Sequence, residues 1–267
     1  MNRKDIVVSS TSRTAIADSR PGARNWLRYA SPQAFVPLAD RLIPWLHGAA
    51  ALLALAGLYI GLLRAPTDFQ QGDAYRIIFV HVPAAWLSMV IYLAMAFWAG
   101  AGLVLGTRLS SMMASALAPT GALCTALALW TGAIWGKPTW GTWWVWDARL
   151  TSELILLFLY IGFMALQAAI ADPRRADRAG AVVALVGVVN VPIIYFSVQW
   201  WNTLHQGASI SLRSAPTLAT PMLLGLLVCT FAFWAYAIAA VLLRLRAIVL
   251  ERERDTEWVR HYVERQA

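Results

Sequence analysis

Two of the four histidines, His81 and His205, stand close to tryptophan-rich stretches of the chain. His81 lies in Phe79-Val-His81-Val-Pro83, and His205 in Trp200-Trp201-Asn-Thr-Leu-His205-Gln-Gly207. Between them the chain reads Trp135-Gly-Lys-Pro-Thr-Trp140-Gly-Thr-Trp143-Trp144-Val-Trp146-Asp147-Ala-Arg149, with five tryptophans inside twelve residues. Imidazole nitrogens bind metal ions, and indole faces stack on flat ligands. Residues of these types can combine only if the fold gathers three distant segments at one place.

The composition says which elements must do this. Of the 267 residues 59% are hydrophobic and 13% charged, with a mean hydropathy of +0.57. Soluble domains carry roughly a quarter charged residues, so a single water-soluble domain is excluded. A bilayer core of about 30 Å needs roughly 20 apolar residues per helix. Six stretches qualify: 45–63, 82–105, 113–134, 150–171, 181–199 and 218–243. They are continuous and do not alternate, which disfavours barrel strands. The expected fold is an all-α integral membrane protein with six transmembrane helices. Residues 1–44 are expected to form a polar tail without the apolar core of a signal peptide, residues 45–243 the membrane domain, and residues 244–267 a charged tail with a short solvated helix.

Basic residues orient the bundle. Seventeen of the 22 Lys and Arg fall in the two tails and in the 2–3 and 4–5 connections; Arg64, Arg76, Lys137, Arg149 and Arg213 fall on the other side. The positive-inside rule therefore puts both termini in the cytoplasm. The net charge of +8 is then a topology signal, and nucleic-acid binding is not expected. Cys124 and Cys229 sit alone in apolar runs and make no metal or haem-attachment motif.

This topology collects the loops after helices 1, 3 and 5 on the outer face, with His81, His205 and seven of the 14 tryptophans. A single interfacial Trp is ordinarily a membrane anchor. Five in one short loop, interleaved with Gly136, Gly141 and Asp147, suit a platform for a large planar ligand. Trp140, Trp143 and Trp144 have the i, i+3, i+4 spacing of one helical face. With Pro138 in the first turn, they predict a short amphipathic helix on that face. Two histidines from separate loops can ligate the two faces of one porphyrin, or a small metal ion; the size of the platform favours the porphyrin. Arg76 and Arg149 are the candidates for its propionates, because guanidinium binds carboxylates bidentately. The plainer alternatives are an Arg149–Glu153 ion pair and a helix cap at Asp147. Asn190-Val-Pro192 predicts a kink in the fifth helix, with Asn190 bonding to a neighbour. His47 and His261 are not expected to be ligands.

With these residues in view, Trp135 through Glu153 resembles the Trp-rich WWD signature of haem-handling proteins. The surroundings of His81 and His205 resemble the haem exporter C family, cytochrome c maturation protein C, over about residues 45–245. The resemblance implies a bacterial inner-membrane protein that holds haem b on its periplasmic face as a transported ligand. It also implies delivery to a periplasmic haem chaperone, cytochrome c maturation protein E. ABC-type subunits A and B and a small membrane component, cytochrome c maturation protein D, are the further partners it implies. It places His81 and His205 as axial ligands and 135–149 as the haem-binding segment, in an assembly factor and not an enzyme. Two other classes compete with this one. A membrane b-type cytochrome usually holds its ligands inside helices, whereas these histidines fall at helix ends. A permease component for another solute would show no haem absorption.

Overall fold

The computed structural model describes residues 31–207, 210 and 216–266. The expected tail 1–44 lies outside them up to residue 30, as do residues 208–209, 211–215 and 267. The described residues are almost entirely helical, with no strands and one isolated bridge between Asp68 and Gly72.

Eight α-helices follow in order: α1 Pro32–Tyr59, α2 Ile78–Leu105, α3 Arg108–Trp140, α4 Ala148–Ala169, α5 Pro173–Gly187, α6 Asn190–Trp200, α7 Thr220–Arg252 and α8 Glu257–Glu264. A π-turn, Ile60–Arg64, extends α1, and a 3-10 turn, Asp73–Ile77, leads into α2. Six spans are long and apolar enough to cross a membrane: Pro32–Arg64, Asp73–Leu105, Arg108–Trp140, Ala148–Ala169, Pro173–Trp200 and Thr220–Arg252. The longest have 33 residues, or about 50 Å at 1.5 Å per residue, which exceeds a hydrocarbon core. Several helices therefore project beyond it.

The projecting turns explain where the helices depart from the expected boundaries. α1 begins at Pro32, thirteen residues before the expected first span, and continues through Pro37 and Pro44. Phe35, Val36 and Ala39 are buried in the core with Leu245, Val249 and Tyr262, so packing outweighs the hydrogen bonds that two prolines remove. Asp40 carries the polar half of this junction. It pairs with Arg246 at 2.7 Å and accepts a hydrogen bond from the Tyr262 hydroxyl at 2.6 Å. α8 is thus docked by Val259 and Tyr262, where a solvated helix was expected.

Helix packing uses small residues, as lipid-embedded bundles do. α1 lies along α7, and α2 along α3. A Cβ at Gly57 would stand 2.9 Å from the Cys229 backbone nitrogen, so α1 and α7 approach backbone to backbone there. The fifth span is broken as expected. A turn at Val188–Val189 separates α5 from α6, and Asn190 Nδ2 donates across to the Ser152 carbonyl at 2.9 Å.

Six alternating spans put both ends of the described chain on one side of the bundle. The described segments at the other end include 65–72, 141–147 and, after α6, 201–207. These are the segments that must build a site.

Candidate functional site at one end of the bundle

His81 lies in the first turn of α2 and is buried. His205 lies in the segment that follows α6. The fold brings their rings together, with centroids 6.3 Å apart and planes inclined by 33°. Trp135 meets His81 edge-to-face at 5.6 Å, and Trp140 meets His205 at 6.2 Å. Both tryptophans belong to the last turns of α3, so one rigid helix end frames both imidazoles.

Each ring uses its Nδ1 in a hydrogen bond. His81 Nδ1 lies 3.1 Å from Thr131 Oγ1, and His205 Nδ1 lies 2.9 Å from the Gln206 carbonyl. The Gln206 oxygen can only accept, so His205 carries its proton on Nδ1 when neutral and keeps the Nε2 lone pair free. Burial, together with the charge of Arg149, holds the His205 imidazole below its ordinary pKa. The neutral, metal-binding form therefore dominates at neutral pH.

The tryptophan segment is not the separate helix predicted from its spacing. α3 runs through Pro138 to Trp140, and Gly141 ends it with φ +77° and a hydrogen bond from its N–H to the Lys137 carbonyl at 3.1 Å. Left-handed φ is available to glycine at little cost. Residues 142–147 are irregular, because Thr142 bonds locally to Trp144 and Asp147 caps α4, its Oδ1 accepting from Leu150 N at 2.8 Å. The i, i+3, i+4 spacing was misleading because Gly141 interrupts it. Gly136 also has a structural task, since a Cβ there would meet the Trp140 ring at 3.0 Å and the Thr142 carbonyl at 3.2 Å.

The five tryptophans consequently divide into two groups. Trp135 and Trp140 touch the histidines. Trp144 stacks edge-to-face with Trp146 at 5.4 Å, while Trp143 and Trp146 are exposed. Two buried polar atoms in this segment, Trp144 Nε1 and Asp147 Oδ2, have no hydrogen-bond partner among the described residues. Such atoms are uncommon and mark where a ligand or water would bond.

The two arginines also differ. Arg149 Nη1 donates to the Ile194 carbonyl at 2.7 Å, and no carboxylate lies within ion-pair distance of it among the described residues. Glu153 bonds to Ser88 instead, accepting from its hydroxyl at 2.8 Å. Arg76 is bound into the scaffold. It pairs with Asp73 at 2.9 Å and donates to the Gly61 and Ala65 carbonyls at 2.7 and 3.3 Å, closing the π-turn of α1.

Three residues at the site escaped the sequence reading. Gln71 Oε1 accepts from Trp135 Nε1 at 2.7 Å, and Gln71 Nε2 lies 3.4 Å from Gln206 Oε1, so Gln71 links all three segments. Thr131 supports His81. Gly132 faces the same ring, where a Cβ would stand 3.1 Å from His81 Cε1. One signal was available: Thr131 and Gly132 precede Trp135 by four and three residues and so share its helical face. Gln71 had none.

Fold and site together define a six-span membrane protein with a tryptophan-framed imidazole pair at one end of its bundle. The sequence profile described as heme exporter protein C matches residues 25–260. The heme exporter protein C of Haemophilus influenzae is 46% identical over 236 residues, 88% of this chain and 96% of that protein. That of Bradyrhizobium diazoefficiens is 48% identical over 223 residues, 84% of each chain. A mitochondrial protein of Marchantia polymorpha, named for cytochrome c biosynthesis, is 47% identical over 180 residues, 67% of this chain and 76% of that one. The chain belongs to the heme exporter protein C family.

Proposed function

We propose that this protein binds haem between His81 and His205 and presents it to a haem chaperone during maturation of c-type cytochromes. One observation carries the reading: two imidazoles, each with Nδ1 engaged, lie side by side with ring centroids 6.3 Å apart. A histidine nitrogen sits about 2 Å from a bound transition metal, so two imidazoles on opposite sides of one ion have centroids about 6 Å apart. The 6.3 Å centroid separation is the spacing two axial imidazoles would have, and it supports the reading. A bare metal ion is a poorer fit. Among the described residues no group of three or more His, Cys, Asp or Glu could hold one, whereas a porphyrin brings four nitrogens of its own.

The surroundings support the same assignment. Trp135, Trp140 and Trp144 offer aromatic surface to the macrocycle, with Gly136 and Gly141 shaping the turn that carries them. Asp147 Oδ2 and Trp144 Nε1 are available for polar contact. Arg149, with no carboxylate partner among the described residues and acting electrostatically on His205, is the better placed of the two propionate candidates. Arg76 retains fewer free N–H groups for that role. Trp143 and Trp146, exposed beside the site, form the surface a partner would meet.

In this reading haem b is cargo, and the protein is a transport and assembly component with no chemical step of its own. The site faces the periplasm from the bacterial inner membrane, with both termini cytoplasmic. The acceptor is cytochrome c maturation protein E. The ABC-type subunits A and B and the small cytochrome c maturation protein D complete the assembly. The location at a bundle end supports presentation: a carrier that retains its haem gains from burial between helices, whereas one that gives it away needs an open edge.

The test is to purify the wild type with the chaperone and compare its absorption spectrum with those of His81→Ala and His205→Ala. Loss or alteration of the Soret band in both is expected. Wild-type haem occupancy and spectrum in both variants would overturn the assignment.

A further inference from the structure

We propose that Thr131 is a positioning residue that fixes the tautomer and orientation of His81. The proposal rests on the haem-ligand reading of that histidine. Thr131 lies on α3, and His81 on α2. The threonine is buried, and its hydroxyl donates to the Leu127 carbonyl at 2.6 Å, with the Ala128 carbonyl at 3.3 Å. A hydroxyl has one proton. With that proton committed to the helix, Oγ1 can only accept from His81 Nδ1 at 3.1 Å. The His81 proton is therefore held on Nδ1, and the Nε2 lone pair is presented to the iron.

The ring is also held in place. Gly132, the next residue on α3, leaves room for His81 Cε1 where a Cβ would stand 3.1 Å away. Trp135, one turn further, closes against the ring edge-to-face. Thr131, Gly132 and Trp135 thus form a continuous support for one imidazole, and of these three only Thr131 bonds to it. A hydrogen bond to the remote nitrogen of a ligating histidine raises its basicity and fixes its orientation, and losing such a partner costs about 10–100-fold in metal affinity. His205 has no comparable partner on a helix among the described residues; its Nδ1 bonds to the carbonyl of the next residue in its own loop.

The experiment titrates haemin into the purified full chain as wild type, Thr131→Val and Thr131→Ser, and measures affinity, Soret spectrum, midpoint potential and thermal unfolding. Valine keeps the shape and removes the acceptor. The valine variant is expected to lose about 10–100-fold in affinity and to show a higher midpoint potential, because a less basic imidazole stabilises ferric iron less. Serine restores the acceptor and is expected to return both quantities to near the wild-type values. Wild-type affinity and potential in the valine variant would overturn the proposal while leaving His81 as a ligand. Equal losses in the valine and serine variants, with earlier unfolding in both, would overturn it in favour of a packing role. Failure of the wild type itself to bind haemin would instead overturn the haem reading and this proposal with it.

Discussion

The two halves of the imidazole pair are built differently. His81 sits in a helix, is buried, and leans on three residues of the neighbouring helix α3. His205 sits in a loop, and its Nδ1 bonds to the carbonyl of Gln206. Among the described residues, the side-chain bond that ties this local segment to Gln71 is the long one from Gln206, at 3.4 Å. On the proposed haem reading, the difference would let one site both hold and release its ligand. Helix packing makes a ligand that costs little to keep oriented, while a loop keeps its conformational freedom until the bond forms. The side on which the iron is released should be the side that the fold supports least.

Substitutions can break or sharpen this contrast. The largest effect is expected from His81→Ala, which should abolish haem retention during purification. His205→Ala should leave partial occupancy and an altered Soret band. Equal occupancy in the two variants would remove the asymmetry. Gly132→Ala comes next. The added Cβ presses on the His81 ring at 3.1 Å, and about tenfold weaker haem binding is expected, the lower end of what a disturbed supporting contact costs. The same affinity as wild type would mean that the ring yields freely and is not held.

Gln71→Ala acts on the other half by unlinking Trp135 and Gln206. The expected loss is about 1 kcal/mol, the worth of one ordinary hydrogen bond. It should appear as faster haem dissociation in a stopped-flow transfer to an apoprotein acceptor. An unchanged rate would show that the loop needs no tether. The smallest effect on binding belongs to Trp143→Ala with Trp146→Ala, since exposed positions rarely matter by more than about 0.5 kcal/mol. These two should instead reduce delivery to the chaperone. A large drop in haem affinity would mean that the exposed tryptophans belong to the haem pocket itself.

Much of the site was legible in order along the chain and illegible in space. His81, Asp147 and Arg149 could be named because ionisable groups beside apolar helices are costly unless they have a task, and Trp135 and Trp140 because five tryptophans in one short loop exceed what interfacial anchoring needs. Their division of labour could not be read. Spacing made Trp140, Trp143 and Trp144 one face, yet Gly141 in a left-handed conformation ends α3 between them. Arg76 and Arg149 looked equivalent by charge and position; the structure separates them by tying Arg76 to Asp73 and to the Gly61 and Ala65 carbonyls. Gln71, in a polar loop, carried no pattern at all, because a side chain that bonds to two distant segments leaves no periodic trace.

By itself the amino-acid sequence determined that six apolar helices are long enough to span a membrane, that their basic ends favour one orientation, and that the fifth is interrupted around Asn190-Val-Pro192. These are properties of hydrophobic length, charge and proline chemistry, which act locally. The tertiary structure alone decided where α1 begins, which imidazole nitrogen is engaged, and which tryptophans meet the histidines. Those outcomes depend on helices far apart in the chain packing against one another. α1 continues through two prolines because α7 and α8 bury its face, and the Nδ1 atom of His81 is engaged because α3 places Thr131 beside it.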